Sequence, residues 1–217
     1  MTFSALDSAL TGSLFASDAM RAVFSDRSRI AAMLRMEAAL ARAQGEHDLA
    51  AAIEALSSDD FDLEALGRET ALAGVPTIPF VKAVQALLPP ALERAFHKGA
   101  TTQDVLDTAL ALQMRDALRL IEADLVAVMD GLARLARVHR ATPCAGRTYG
   151  QHAAPVTFGF KAAVWLAGIA EVAERLPSIR ERALVASLGG PVGTLSGLGE
   201  RGPAMLEAFA RETALEP

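Results

Sequence analysis

The chain has 217 residues, of which 52% are hydrophobic and 22% charged, and its 26 acidic and 21 basic residues give a formal charge of −5. It is long enough for one large or two small folded domains and too apolar to be disordered. The acidic balance argues against an extended nucleic-acid groove. Alanine supplies about one residue in five and aromatic residues are sparse, so the composition favours helix and nearly excludes an all-β fold.

Neither a disulfide framework nor a structural metal site is expected. Cys144 is the single cysteine, and the four histidines have no zinc-ligand spacing with it or with one another. The first residues lack the basic start of a secretory signal. The longest apolar stretch, 156–170, contains Lys161 and is too short to span a bilayer. We therefore expect a cytoplasmic protein with no membrane or nucleic-acid partner.

The N-terminal third is predicted to form several short helices. Ser17-Asp18 is typical of a helix N-cap. A longer helix is predicted from Asp26 to Leu49, weakened at its far end by Gly45. It has one apolar stripe at helical spacing: Ile30, Leu34, Glu37 or Ala38, and Ala41. Two further helices are predicted over 61–73 and 79–88, because proline and glycine punctuate the chain around them.

The strongest pattern predicts a long amphipathic helix over 104–139, where apolar residues recur every three or four positions. Its rod would be about 54 Å long and would need neighbours along its length. A second long helix, 162–186, is expected to kink at Pro177. Its segment 164–170 is apolar on every side, which is typical of a helix inside a bundle, within one chain or shared between subunits.

The C-terminal part is predicted to be less ordered. The glycine-rich stretch 187–202 predicts a loop, and an amphipathic helix follows from Pro203. The sequence indicates neither a helix cap nor a packing partner for the end at Pro217. We expect the chain either to associate through its long helices or to lose order near this end.

Residues 131–170 contain no acidic side chain, although the protein as a whole is acidic. A local excess of positive charge suits an anionic ligand. The alternative is that Arg134, Arg137 and Arg140 complement the negative end of the long helix dipole. Arg147 differs because it stands in a predicted loop beside several hydrogen-bonding side chains. The basic residues are Arg134, Arg137, Arg140, Arg147 and Lys161.

A second polar segment, 97–104, precedes the long helix. Thr101 or Thr102 fits an N-cap, and Asp104 in the first turn complements the helix dipole. Capping does not require His97, Lys98 or Gln103, however. A helix N-terminus with two hydroxyls and free N–H groups also suits a carboxylate or phosphate, so both interpretations stay open.

Three segments in this order resemble motifs of the fumarase/aspartase superfamily: HKGATTQDVLDTA at 97–109, GRTYGQHAAPVTFG at 146–159 and GGPVGT at 189–194. In detail they are most similar to those of its 3-carboxy-cis,cis-muconate cycloisomerases, and so is the stretch 17–44. The resemblance implies an all-α long-helix bundle of the fumarase/aspartase type. It also implies an N-terminal helical domain over 1–100 and the first part of the central bundle over 101–217.

The resemblance further implies a site for a small polycarboxylate, with no cofactor and no metal, in a homotetramer whose sites draw on three chains. His97 and His152 are the candidate catalytic proton donors, or alternatively hydrogen-bonding supports. The superfamily usually carries histidine where this chain has Tyr149, and an aromatic residue there resembles the lactonising branch. The implied substrate-binding residues are Lys98, Thr101, Thr102, Asp104, Arg147, Thr148, Tyr149 and Gln151.

One superfamily signature, G-S-S-x-M-P-x-K-x-N-P, does not occur in these 217 residues. We therefore expect the chain to be the truncated N-terminal half, with the general base absent from it. The first functional hypothesis is a cycloisomerase that converts 3-carboxy-cis,cis-muconate to 4-carboxymuconolactone in protocatechuate degradation. The others are another superfamily lyase, similar to adenylosuccinate or argininosuccinate lyase, and a non-catalytic helical oligomerisation fragment.

Overall fold

A computed structural model describes residues 4–217, apart from the side chain of Asp7. The predicted all-α class is confirmed, with a small hairpin as the only sheet in this described range. The helices are α1 (Asp18–Val23), α2 (Asp26–Ala43), α3 (His47–Glu54), α4 (Leu63–Ala73), α5 (Thr77–Leu87), α6 (Thr102–Val138), α7 (Phe158–Ala183) and α8 (Gly202–Thr213). The strands are β1 (Pro143–Thr148) and β2 (Gln151–Thr157).

The predicted N-terminal helices are confirmed, and their caps explain where they begin. The Ser17 side chain accepts the Met20 N–H at the start of α1, and Ser25 accepts the Ser28 N–H at the start of α2. The whole predicted stripe of α2 is buried. Helix α3 is a separate helix, whereas the sequence predicts one helix that runs on to Leu49. The helix breaks at Gly45, which has a φ of 81° and follows the end of α2.

The chain divides into two compact units, one formed by residues up to Ala117 together with Glu181–Pro217 and the other by Leu118–Arg180. In the first unit α2 is the central helix and packs against α3 and α8. Its largest fully buried side chains include Phe80, Phe209, Met33, Met36 and Leu40. The α2 helix is thus buried on more of its circumference than an ordinary surface helix.

The expectation of an unpacked C-terminal end is wrong. The Glu216 N–H donates to the Leu184 carbonyl at 2.9 Å, and the Glu216 carbonyl accepts the Ala186 N–H at 2.7 Å. Leu215 is buried between these bonds and the end of α8. The Arg115 guanidinium also donates to the Thr213 carbonyl at 2.7 Å. This end is held by partners far away in sequence, which local patterns do not reveal.

The second unit contains the later part of α6, the hairpin and α7 up to Arg180. The predicted loop after the long helix is wrong, because 143–157 forms two paired strands. Helix α7 continues across Pro177. The segment 164–170 is not buried within this chain, since Val164 and Trp165 are about half exposed. Among the described helices, none is both long and apolar enough to cross a bilayer.

Candidate functional site

The predicted site residues fall into two groups, one in each compact unit. The first group lies in the segment 97–104 that leads into α6, which we call the α6 N-terminal cluster. The second lies on the hairpin formed by β1 and β2.

Asp104 anchors the α6 N-terminal cluster. Its Oδ2 accepts the Thr101 N–H at 2.9 Å, which is the return bond of a capping box. The same carboxylate accepts the Gly189 N–H at 2.8 Å and the Gly190 N–H at 3.0 Å. Asp104 is only 3% exposed. Its carboxylate therefore joins the glycine-rich loop to the start of α6, a positioning role that the capping interpretation alone did not include.

The glycines of the 189–194 loop allow this close approach. A Cβ on Gly189 would lie 3.1 Å from the Gly193 Cα, and a Cβ on Gly190 would lie 3.3 Å from the Gly99 carbonyl oxygen. Gly190 also has a φ of 73°, which favours glycine. One turn further along α6, Thr108 Oγ1 donates to the Ser187 carbonyl at 3.1 Å. The loop is thus fixed to the first two turns of the helix.

His97 is held by a buried acid on another helix. Its Nδ1 lies 2.6 Å from Oε1 of Glu37, which comes from the middle of α2. Glu37 is 1% exposed and the His97 side chain 20% exposed. Burial raises the pKa of Glu37, opposed by the hydrogen bond and charge of His97. Burial alone would lower the pKa of His97, but the hydrogen bond to Glu37 and the charges of Glu37 and Asp104 raise it.

The remaining members of the cluster stand at the open end of α6. The first backbone bond of the helix runs from the Val105 N–H to the Thr101 carbonyl, so the amides of 102–104 precede it. The Lys98 side chain is exposed, and its carbonyl accepts a bond from Gln44 Nε2 at 2.6 Å. Such a helix end, flanked by hydroxyls and cationic side chains, is suited to an anionic group.

The hairpin presents its predicted residues on two faces. Arg147 pairs with His152 and Thr148 with Gln151, so each pair shares one face and the two pairs point to opposite faces. Tyr149 forms the tip with Gly150, has a φ of 49° and is fully exposed. All five predicted side chains on the hairpin are exposed. One ligand could therefore meet Arg147 with His152 on one face, or Thr148 with Gln151 on the other, but not all four on one face.

Other parts of the described chain offer less chemistry. A groove of about 820 Å³ between α4 and α5 is mainly apolar and contains none of the predicted site residues. In the range that the structure describes, no group of three or more His, Cys, Asp or Glu side chains is arranged to hold a metal ion.

Glu37, the partner of His97 on α2, is a site residue for which the sequence patterns predict no chemistry. The sequence places it on the apolar stripe of α2, and an acid among apolar core positions is itself a signal of a buried partner. The sequence motif at 189–194 does not indicate the contact of this loop with Asp104. That contact joins residues 85 positions apart, so no local pattern contains it.

Comparison with known proteins adds an independent line of information. A family model described as Lyase matches residues 14–216. The 3-carboxy-cis,cis-muconate cycloisomerase of Pseudomonas putida is 43% identical over 93% of this chain and 50% of its own length. The nitrosuccinate lyase of Streptomyces davaonensis is 42% identical over 98% of this chain and 48% of its own.

The fold is also similar to that of a solved structure. The 3-carboxy-cis,cis-muconate lactonizing enzyme from Pseudomonas putida has a TM-score of 0.92 and 44% identity, over 96% of this chain and 50% of that one. The chain therefore spans about half the length of the relatives it matches.

Proposed function

Because this chain belongs to the lyase family, within the fumarase/aspartase superfamily, we propose that its enzyme is a cofactor-independent cycloisomerase acting on 3-carboxy-cis,cis-muconate. The product would be 4-carboxymuconolactone, an intermediate of protocatechuate degradation. The observation that carries the proposal is the open α6 N-terminus, where Asp104 fixes the backbone beside His97, Lys98, Thr101 and Thr102. The relatives that include a muconate cycloisomerase support the choice of reaction.

The reaction requires little covalent chemistry from the protein. A carboxylate oxygen of the substrate attacks its own double bond, a C–O bond forms, and the π electrons move to the neighbouring carbon beside another carboxylate. That carbon then takes up a proton, so a trianion becomes a dianionic lactone. The enzyme must hold the substrate bent for attack and stabilise the enolate-like charge. The α6 amides, Thr101, Thr102 and Lys98 are suited to bind these carboxylates.

The proton would come from a histidine. His97 is the better candidate of the two. Burial lowers its pKa, but the hydrogen bond to Glu37 and the charges of Glu37 and Asp104 raise it above the ordinary value. His152 lies on the exposed hairpin face with Arg147. There it would support the binding of a carboxylate rather than deliver the proton.

The α6 N-terminal cluster would form one side of the substrate site, and the hairpin would form the other side in an assembled homo-oligomer. We propose that this oligomer is a tetramer. The support is the number of large apolar side chains that α6 and α7 leave at least 40% exposed. Unpartnered apolar surface of this extent is typical of a subunit interface. These side chains are Leu110, Ile121, Val126, Val128, Val138, Phe160, Val164, Trp165, Val172 and Ile179.

The role of Arg147 tests the proposed site. In the enzyme carrying this chain, Arg147→Ala should reduce kcat/KM for 3-carboxymuconate about 10-fold to 100-fold, because a charged contact to a carboxylate is lost. Arg68→Ala, which removes an exposed arginine of α4, is the matched control and should leave kcat/KM unchanged. Equal kcat/KM values for the two variants would reject Arg147 as a substrate ligand.

A second candidate is a lyase that acts on a substituted succinate. The observation in its favour is the relative named nitrosuccinate lyase, which is nearly as similar over 98% of this chain. Tyr149 argues against adenylosuccinate- and argininosuccinate-type enzymes, whose pattern has histidine at the hairpin tip. Turnover of nitrosuccinate without turnover of 3-carboxymuconate would favour this second candidate.

A further inference from the structure

We propose that Glu37 is a positioning residue for the carboxylate site at the start of α6. Its buried carboxylate accepts the Nδ1 hydrogen of His97 and so holds the ring as an imidazolium that offers its Nε2 hydrogen to the substrate. The part that concerns the substrate rests on the proposed function, whereas the part that concerns the charge of His97 does not.

The first argument is the geometry of the pair. The 2.6 Å contact joins Nδ1 to a carboxylate oxygen, as in the acid–histidine pairs that fix an imidazole for catalysis. Because Nδ1 is occupied by the almost completely buried Glu37, Nε2 is the ring nitrogen left to meet a ligand, and the His97 side chain is 20% exposed.

The second argument is that the backbone is arranged to make this contact. His97 has a φ of 56°, a conformation that a residue with a side chain adopts only when its surroundings enforce it. Contacts fix the two residues that follow His97. Gln44, the C-cap of α2, donates its Nε2 hydrogen to the Lys98 carbonyl, and Gly99, with a φ of 85°, packs so closely that a Cβ would lie 2.7 Å from the Leu198 side chain.

The third argument is the isolation of the acid. Oε2 of Glu37 is fully buried and accepts no hydrogen bond in the described structure, so His97 is the polar partner that compensates this carboxylate. A buried carboxylate with a single partner is costly for folding. Charge on His97 is favoured from two packed elements, by Glu37 on α2 and by Asp104 on α6.

The first experiment measures the charge of His97 in the 217-residue chain. Histidine labelled with ¹³C and ¹⁵N is titrated by NMR, and His97→Gln assigns the resonance. We expect Nδ1 to be protonated and the His97 midpoint to lie above its ordinary value of 6.5 in the unaltered chain. Glu37→Gln should lower the midpoint by about 1 unit or more, and Glu37→Asp, which keeps the charge, should restore part of the shift.

The control is Glu46→Gln, which removes an exposed acid just beyond α2 and should leave the midpoint unchanged. If Glu37→Gln moves the His97 midpoint no more than Glu46→Gln does, Glu37 does not set the charge and the inference fails. An Nδ1 without its proton in the unaltered chain overturns it as well, even if Glu37→Gln does not fold.

The second experiment adds propane-1,2,3-tricarboxylate as the probe. We expect the Nε2 resonance of His97 and the amides of 102–104 to shift together, with a Kd about 10-fold higher in Glu37→Gln. Amide shifts without a His97 shift would overturn the positioning role but leave the proposed carboxylate site intact. If no resonance shifts, the carboxylate site and the role toward substrate both fail, and the first experiment still decides the charge.

Discussion

At the level of single residues, Asp104 does more than complement the first turn of α6: it also binds the glycine-rich loop. Three backbone N–H groups converge on its buried carboxylate. Asparagine has only one acceptor oxygen, so Asp104→Asn leaves at least one buried donor without a partner. We expect the free energy of unfolding to fall by about 1–3 kcal/mol, measured by urea denaturation.

Asp107→Asn is the matched control, because this exposed acid lies on the same helix and accepts a bond from the Gln103 side chain. Its effect should stay within about 0.5 kcal/mol. Equal effects of the two substitutions would show that the convergence on Asp104 does not stabilise the fold.

The pair of Glu37 and His97 makes stability depend on pH. Burial raises the pKa of Glu37 above its ordinary 4.5, and the contact with Glu37 outweighs burial to raise that of His97 above 6.5. The folded state therefore binds more protons than the unfolded state, and stability falls as pH rises. The stabilising contribution of His97 is complete below pH 6.5 and is lost as pH passes its raised folded value.

Calorimetry of the unaltered chain and of the double variant Glu37→Gln with His97→Gln tests this dependence. Between about pH 5 and about pH 8, the Tm of the unaltered chain should fall relative to that of the variant. Two Tm curves that run parallel over this range would contradict the assignment of both shifts.

At the scale of secondary-structure elements, α7 contains two glycines that differ in their surroundings. A Cβ on Gly159 would lie 2.6 Å from the Ala136 carbonyl oxygen and 2.7 Å from the Arg140 backbone. A Cβ on Gly168 would meet nothing within 4 Å. The first glycine therefore allows close packing against the end of α6, whereas the second does not need to be glycine.

We expect Gly159→Ala to lower the free energy of unfolding by about 1–3 kcal/mol, because the backbone must move apart. Gly168→Ala should instead raise it by about 0.5–1 kcal/mol through helix propensity. Thermal unfolding followed by circular dichroism measures both. Shifts of the same sign would contradict the close contact at Gly159.

Sequence patterns predicted the long helices well and the hairpin poorly, for a physical reason. Helices α2 and α6 depend on a local period and on local caps, which the sequence displays directly. The hairpin turns at Tyr149-Gly150, and a tyrosine at positive φ is not a usual signal for a two-residue turn. The register irregularity near Gly146, where a Cβ would lie 2.4 Å from the Ala154 carbonyl oxygen, gives no local signal either.

At the scale of the whole molecule, motif order was more informative than composition. Three short motifs identified the superfamily, and the family match over 14–216 confirms it. The acid partner of His97 and the fixed C-terminal end were not predictable, because both depend on contacts between distant segments. The boundary at residue 100 and the assignment of each site residue stay predictions.

The exposed apolar faces of α6 and α7 lead to a prediction about assembly. We expect tetramers in light scattering, and Trp165→Glu should shift them toward smaller species because it places a charge on the proposed interface. Leu72→Glu is the matched control, since Leu72 is more exposed but lies on α4. A compact monomer before any substitution would contradict the proposed assembly.

The central claim is the reaction, and the most direct measurement is turnover by the purified enzyme that carries this chain. Loss of 3-carboxymuconate and formation of lactone are followed together, with nitrosuccinate as the competing substrate. We predict lactone formation with a kcat/KM at least 10-fold above that for nitrosuccinate, because the site is proposed to bind three carboxylates rather than two. Turnover of nitrosuccinate with no lactone from 3-carboxymuconate would contradict the account.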